Sequence, residues 1–331
     1  MQTQTPPPAT MHAVLIRRFG GPEVVEFADV PVPEPREGEL LLRVEAASLN
    51  PVDWKIRSGK YPVVKEDKLP YVLGRDVSAT VVKSDDADLP PGTLVHGLLD
   101  ATHGGFAQYT VARSGQLARV PGALDRIAAA AVPLAALTAW QGLFDHGGLQ
   151  GGQRVLIHAG AGGVGHFALQ FAKARGAHVI TTVSTDDVPF ARSLGADEVI
   201  DHSTQRFEST LRDIDLVYDL VGGETQEHSW AVLKKGGVLV STVSEPDPVK
   251  AEAIGVRATR YTAQPNADQL REIDALIQSG QVRPRVSRLY AYGDAKEALR
   301  SLEDGHITGK LVLDMSGVVA GVPDPIYRPG D

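Results

Sequence analysis

The sequence predicts an α/β protein in which a doubly wound parallel sheet adjoins a discontinuous, mainly antiparallel, barrel-like unit. Three observations predict it. Strand-like and helix-like segments alternate from about Leu134 onward. Residues 11–133 are instead punctuated by Pro and Gly and carry short alternating segments. A last β-rich stretch, Gly309–Asp314, follows the alternation and is placed to return to the first unit.

The parallel sheet starts in residues 152–183, GQRVLIHAGAGGVGHFALQFAKARGAHVITTV. Val155, Leu156 and Ile157 form an apolar run that suits a strand buried on both faces. Gly160, Gly162 and Gly165 follow as G-x-G-x-x-G, with Ala161, Gly163 and Val164 between them. In that pattern the first glycine allows a tight turn, the second lets the backbone approach a pyrophosphate, and the third lets helix and strand pack closely. Free amide N–H groups at the helix N-terminus favour negative charge there. Phe167, Leu169, Phe171, Ala172 and Ala174 are the apolar positions of the helix, and Val179–Val183 is the next strand. This order predicts a dinucleotide-binding unit.

Further along, strands are expected at Val199–Ile200, Leu216–Tyr218, Gly237–Thr242 and Ile254–Ala258. Helices are expected at Ala135–His146, Val188–Leu194, Thr225–Leu233 and Asp268–Ser279. In the first unit His12–Arg17, Glu39–Ala46, Tyr71–Val82 and Phe106–Ala112 read as strands, and Asn50–Ser58 as a short helix with Pro51 in its first turn. The expected division is a disordered tail over 1–10, a barrel-like unit over 11–133 and 284–314, a dinucleotide unit over 134–283, and a tail over 315–331.

At 331 residues, with 43% hydrophobic and 22% charged residues, the chain has the size for two domains and the texture of a soluble globular protein. A net charge of −8 and a pI near 5.7 speak against nucleic acid or anionic membrane as partners. MQTQTPPPAT offers neither the basic start nor the apolar core of a signal peptide, so a cytoplasmic enzyme is expected. There is no cysteine, which excludes disulfides, thiol nucleophiles, iron–sulfur clusters and thiolate zinc sites. His96, His103, His146, His158 and His166 lack ligand spacing, so no metal site is expected; His158 and His166 read as packing or hydrogen-bonding beside the glycine turn.

Six motifs stand in series: NPVDWKIRSGKYP (Asn50–Pro62), GRDVSATVV (Gly74–Val82), PLAALTAWQGL (Pro133–Leu143), VLIHAGAGGVG (Val155–Gly165), RSLGADEVID (Arg192–Asp201) and DLVYDLVGG (Asp215–Gly223). Over roughly Met11–Asp314 the chain thereby resembles the medium-chain dehydrogenase/reductase superfamily, and within it the zinc-free quinone oxidoreductase-like branch. The resemblance implies a Rossmann-type domain beside a GroES-like catalytic domain. Zinc-dependent relatives would carry a Cys near position 50, a His-Glu pair in the Gly74 motif and a four-cysteine lobe; this chain has Asn50, Arg75-Asp76 and no cysteine. Alcohol dehydrogenation usually relies on such a Lewis acid. Without it, hydride transfer to quinones or other α,β-unsaturated carbonyls is the chemistry implied.

The resemblance places Asn50 and Asp53 near the nicotinamide. Asn50 would donate a hydrogen bond to a carbonyl or the cofactor ribose, or else cap the Pro51 helix. Asp53 would act there, or else pair with Arg57 one turn on. Tyr61 matches a proton-donating tyrosine of enoyl reductases; it would act as general acid, or only pack over or bind the acceptor. Arg75 and Asp76 are expected to pair or to hold the strand. Thr138 would approach the nicotinamide carboxamide, as would backbone groups of Thr242, Val243 and Ser244. Ser184 and Thr185 stand where NAD enzymes place an acid against the ribose 2′-hydroxyl, which favours NADPH, with NADH possible. The expected cation is missing there: Asp186 and Asp187 follow, and either cap the next helix or leave Lys173, Arg192 and His202 as candidate phosphate partners. A second reading is an enoyl reductase on an acyl-thioester or biosynthetic substrate, entered past Lys55, Arg57, Lys60, Lys65 and Lys68. A third is a dinucleotide-binding redox sensor. A homodimer through the sheet edge formed by Gly236–Ser244 and Ile254–Thr259 is also expected from the resemblance.

Overall fold

In the computed structural model, which describes residues 6–318, the chain builds three sheets. Six strands form one wholly parallel sheet in the spatial order Glu198–Asp201, His178–Val183, Arg154–His158, Ile214–Asp219, Leu233–Ser241, Arg257–Arg260. That order reverses direction at Arg154–His158, creating the crevice where doubly wound sheets receive ligands. Apolar side chains fill both of its faces, with Val155, Ile157 and Phe167 on one side and Leu156, Ile180 and Val217 on the other. The central strands, such as Arg154–His158 and Ile214–Asp219, are therefore largely apolar and buried.

A seven-stranded sheet is antiparallel except where Val286–Ala291 runs parallel to Lys310–Asp314. The last strand pairs Val312 with Ser48 and Asp314 with Ala46, so the chain end does return to the first unit. Val25–Pro31, Thr10–Ile16 and Tyr71–Val72 make a third, small sheet.

Several elements depart from their expected form. The expected strand Tyr71–Val82 breaks into Tyr71–Val72 and Asp76–Lys83, because Gly74 turns through φ +96° against Phe106. The strand expected at Phe106–Ala112 is Tyr109–Arg113, so Phe106 lies outside it; the Phe106 backbone instead bridges Leu73 and Val14. Ala135–His146 is α-helical only to Trp140 and then loosens to a π-helix over Gln141–His146. The change falls where the Thr138 carbonyl accepts the buried hydroxyls of Tyr218, at 2.9 Å, and Tyr261. Ile254 ends a helix, Pro248–Ile254, rather than starting a strand. Asp247 caps it and Gly255 closes it in the left-handed region at φ +68°. The sheet edge is thus Arg257–Arg260 alone. The expected tails are partly built in: Thr10 pairs with Pro31, and the Val318 carbonyl accepts a bond from Gln108. Residues 1–5 and 319–331 of those tails lie outside the described residues. No helix among the described residues is long and apolar enough to cross a membrane.

Candidate functional site

The glycine turn leaves the strand Arg154–His158 and enters the helix Gly165–Ala174. A Cβ on Gly160 would lie 2.1 Å from Thr181 Oγ1, and one on Gly165 would lie 2.1 Å from the Ala159 carbonyl. Both glycines are therefore required by packing. At Gly162 a Cβ would lie 3.3 Å from the Ala159 carbonyl, a tight contact but a looser one than at the other two glycines. The tight turn expected of Gly160 belongs instead to Ala159, which takes φ +53°. The N–H groups of Gly163 and Val164 take no partner among the described residues. His166 fastens the turn: its Nε2 accepts the Arg285 N–H, so Nδ1–H donates to the Gly162 carbonyl at 3.0 Å. Burial pushes His166 down to about 4, and His158 likewise, so both stay neutral near neutral pH.

A cleft of about 450 Å³ opens beside the turn, lined by Ala161, Gly162, Ser184, His202, Arg206 and His306 among others. Together with the turn's free N–H groups it fits a dinucleotide. Ser184 donates to Asp187 at 2.9 Å, while Thr185 turns away to Asp201 at 2.7 Å. Asp187 does not cap the following helix; it accepts from Ser184 and Thr308 and pairs with His306, and those partners hold its carboxyl below the usual range despite burial. Lys173 is committed to Asp197 at 2.8 Å, and neither it nor Arg192 lines the cleft. Arg206, which sequence reasoning missed, does.

At the ends of the central strands, the expected backbone donors are already engaged. The Thr242 N–H bonds Asp219, and those of Val243 and Ser244 bond Ser241 Oγ. Gln226 occupies the Ser244 carbonyl, which leaves the Thr242 and Val243 carbonyls. Thr138 is buried and its hydroxyl back-bonds to Leu134 at 2.6 Å.

The third part of the site is a buried polar cluster in the catalytic unit. Asp53 does not pair with Arg57, which binds Glu303. Asp53 Oδ2 instead accepts the Asn50 N–H at 2.7 Å, closing the helix entry Pro51–Arg57. Arg75 and Asp76 do not pair either. Arg75 donates to the Leu99 carbonyl, while Asp76 accepts from Ser48, Asn50 Nδ2 and the Leu134 N–H. Asn50 spends both amide hydrogens, on Asp76 and on the Ser48 carbonyl, so it can only accept further bonds, through Oδ1. That oxygen and the Leu49 carbonyl accept from Lys310, whose ammonium lies 3.7 Å from Asp76. Lys310 is buried, which lowers its pKa, while Asp76 and Asp53 hold it up. Its stem lies along Gly163, and the neighbouring Gly309 N–H bonds Ala161 at 2.9 Å. One lysine thus spans the distance from glycine turn to catalytic cluster. Tyr61 is half-buried on the apolar core of the same unit. Among the described residues no three His, Cys, Asp or Glu side chains group closely enough to hold a metal ion.

This two-part architecture has known counterparts. The family described as alcohol dehydrogenase GroES-like domain matches residues 36–122, and that described as zinc-binding dehydrogenase matches 194–313. A 2-methylene-furan-3-one reductase of Solanum lycopersicum is 34% identical over 92% of this chain and 79% of its own length. An NADPH-dependent alkenal/one oxidoreductase of Arabidopsis thaliana is also 34% identical, over 92% of this chain and 80% of its own. The solved quinone oxidoreductase of Coxiella burnetii is 36% identical and superposes with a TM-score of 0.86 over 92% of this chain and 99% of its own. The chain belongs to the medium-chain dehydrogenase/reductase superfamily, in its quinone oxidoreductase-like branch. It is an oxidoreductase, with the Rossmann-type and GroES-like parts that the superfamily combines.

Proposed function

We propose that the protein is an NADPH-dependent reductase that passes hydride to quinones or other α,β-unsaturated carbonyls without a metal. The observation that carries this reading is Lys310, which joins the glycine turn to the Asn50–Asp76 cluster. Where zinc relatives keep anionic and imidazole ligands, this cluster holds a fixed ammonium and an amide. Asp76, the carboxylate of the cluster, is already taken up by Ser48, Asn50, the Leu134 N–H and Lys310, which leaves no free ligand set for a metal ion.

When bound, NADPH supplies the hydride. The chain's own groups orient and polarise. Gly163 and Val164 N–H groups would meet the pyrophosphate, and Asn50 Oδ1 would accept from a ribose hydroxyl. The Thr242 and Val243 carbonyls would accept from the carboxamide, with Thr138 packing beneath it. Tyr61 would lie over the acceptor. NADPH is preferred because Ser184 stands in the place of an acid and Arg206, His202 and His306 would answer a phosphate, while Asp187 on the same cleft is taken up by Ser184, Thr308 and His306. The long basic entrance that an acyl-thioester arm needs is weakened, since Arg57 is buried and paired with Glu303. The free edge of Arg257–Arg260 would seat a second copy of the chain, which light scattering tests.

Stopped-flow oxidation of NADPH by a panel of quinones and enones tests the function. Turnover supports the reductase. Tight NADPH binding with no turnover of any acceptor replaces it with the sensor reading.

A further inference from the structure

The helix Gly165–Ala174, which starts at the glycine turn, borders a second groove of about 730 Å³. Lys173, Phe190, Gln281, Arg283 and Arg285 are among the residues that line it, and none of its lining residues belongs to the dinucleotide cleft. In a chain of net charge −8 this groove gathers three cations, and no Asp or Glu lines it. Lys173 is balanced by Asp197 at 2.8 Å. Arg283 and Arg285 have no carboxylate partner among the described residues. The Arg285 guanidinium lies 6.0 Å from the centre of the half-buried Phe190 ring, so the groove also has an aromatic wall.

Both arginines are held from behind by buried side chains. Gln170 is 6% exposed; its Oε1 accepts the Arg283 N–H at 2.8 Å, and its Nε2 donates to the Arg283 carbonyl at 3.1 Å. One turn earlier on the same helix face, His166 Nε2 accepts the Arg285 N–H at 3.3 Å. The two guanidinium groups therefore sit on a mounted segment rather than a free loop. Side by side and unpaired they repel, and each is a planar fork suited to two oxygens of a phosphate. The segment, residues 281–285, leads from the helix Ala267–Gln278, packed on the parallel sheet, to the strand Val286–Ala291 of the seven-stranded sheet. It reaches both parts of the site. His166 takes the Arg285 N–H and gives its other ring N–H to the Gly162 carbonyl, while the Arg285 carbonyl accepts the Lys310 N–H at 2.9 Å.

We propose that this groove binds a small organic phosphate, with the phosphate on Arg283 and Arg285 and the apolar part against Phe190, and that its occupancy tightens the hold of the glycine turn on the dinucleotide. A bound anion removes the repulsion between the guanidinium groups and favours the arrangement in which residues 283–285 stay seated on Gln170 and His166. The His166 bond that fastens Gly162 is then kept as well. The link between the two sites rests on the dinucleotide reading above; the phosphate site itself does not. The coupling is reciprocal, so NADPH tightens the organic phosphate by the same factor.

The test titrates phenyl phosphate by calorimetry into the NADPH-saturated protein, whose dinucleotide cleft is then filled. One molecule binds per chain. Arg283→Gln and Arg285→Gln each weaken it about 10-fold, the usual worth of a charge-assisted hydrogen bond. Arg271→Gln, which breaks only an exposed pair with Asp268 outside the groove, leaves the affinity unchanged. Phe190→Leu weakens phenyl phosphate more than inorganic phosphate. In the reverse experiment, saturating phenyl phosphate lowers the NADPH dissociation constant, read by fluorescence, about fivefold, and does nothing in the Arg283→Gln/Arg285→Gln variant. Absence of phenyl phosphate binding to the loaded protein overturns the site, as does binding that both arginine variants retain or that Arg271→Gln weakens equally. NADPH affinity that is unchanged or weakened by phenyl phosphate overturns the coupling. A protein that binds phenyl phosphate through these arginines but takes no NADPH overturns the dinucleotide reading and leaves the phosphate site standing.

Discussion

Lys310→Met removes the cation that bonds Asn50 and faces Asp76. Met matches the stem that lies along Gly163, so the change is mainly one of charge. The lost partner is Asp76, 3.7 Å away and fully buried. At that distance two unit charges attract by about 4–5 kcal/mol at the effective dielectric suited to buried sites. Burying the ammonium costs part of that gain, but after the change Asp76 stays buried without its counter-charge. Breaking one side of a buried pair costs about 3–5 kcal/mol, so we expect a loss of about 3 kcal/mol in the urea-extrapolated stability. Lys310→Met/Asp76→Asn should recover most of it, because Asn keeps an acceptor for the Leu134 N–H and no charge is stranded. Urea titrations of wild type, both single variants and the double variant complete the cycle. A Lys310→Met variant as stable as wild type, or a double variant worse than either single, would refute the electrostatic account of this cluster.

Three further outcomes follow from the same geometry. Ala159→Gly relieves the residue at φ +53° and should raise the urea stability by about 0.5–1 kcal/mol with NADPH affinity retained. Gly165→Ala drives a Cβ to 2.1 Å from the Ala159 carbonyl, so it should abolish NADPH binding in calorimetry and lower the melting temperature. Acid should destabilise the fold. Between about 6.5 and 4 His158 and His166 bind protons only when unfolded, whereas between about 7 and 3.8 Asp53 binds one only when folded. The excess of one proton in the unfolded chain gives a fall of about 1.4 kcal/mol per pH unit near pH 5, and Asp53→Asn should double that slope.

The parallel sheet was legible because its signals are local: apolar runs such as Val155–Ile157, and glycines at fixed spacing. The helix ending at Ile254 was just as local, since Asp247-Pro248 and Gly255 mark its two ends, yet the apolar residues around Ile254 suggested a strand. The catalytic cluster was not legible in the same way. Lys310 meets Asn50 across 260 residues of sequence, and no spacing rule announces such a contact. Asn50 and Asp53 could be located by resemblance, but their partners could not, and the expected Asp53–Arg57 and Arg75–Asp76 pairs both gave way to longer-range ones. Tyr71 read as an ordinary strand residue, yet its hydroxyl is buried without a partner among the described residues. Arg206 carried no motif; it reaches the cleft only because the loop after Glu198–Asp201 folds beside the glycine turn.

The central claim is that a reduced nicotinamide held by the glycine turn is oxidised by a conjugated acceptor beside the Lys310 cluster. Single-turnover mixing of the NADPH-loaded protein with an enone, followed by NADPH absorbance and repeated with deuterium on the transferring carbon, addresses it most directly. The account predicts decay of the NADPH signal with a primary isotope effect and deuterium at the β-carbon of the product. A signal that persists through excess of every quinone and enone offered, or product deuterium at any other carbon, would contradict it.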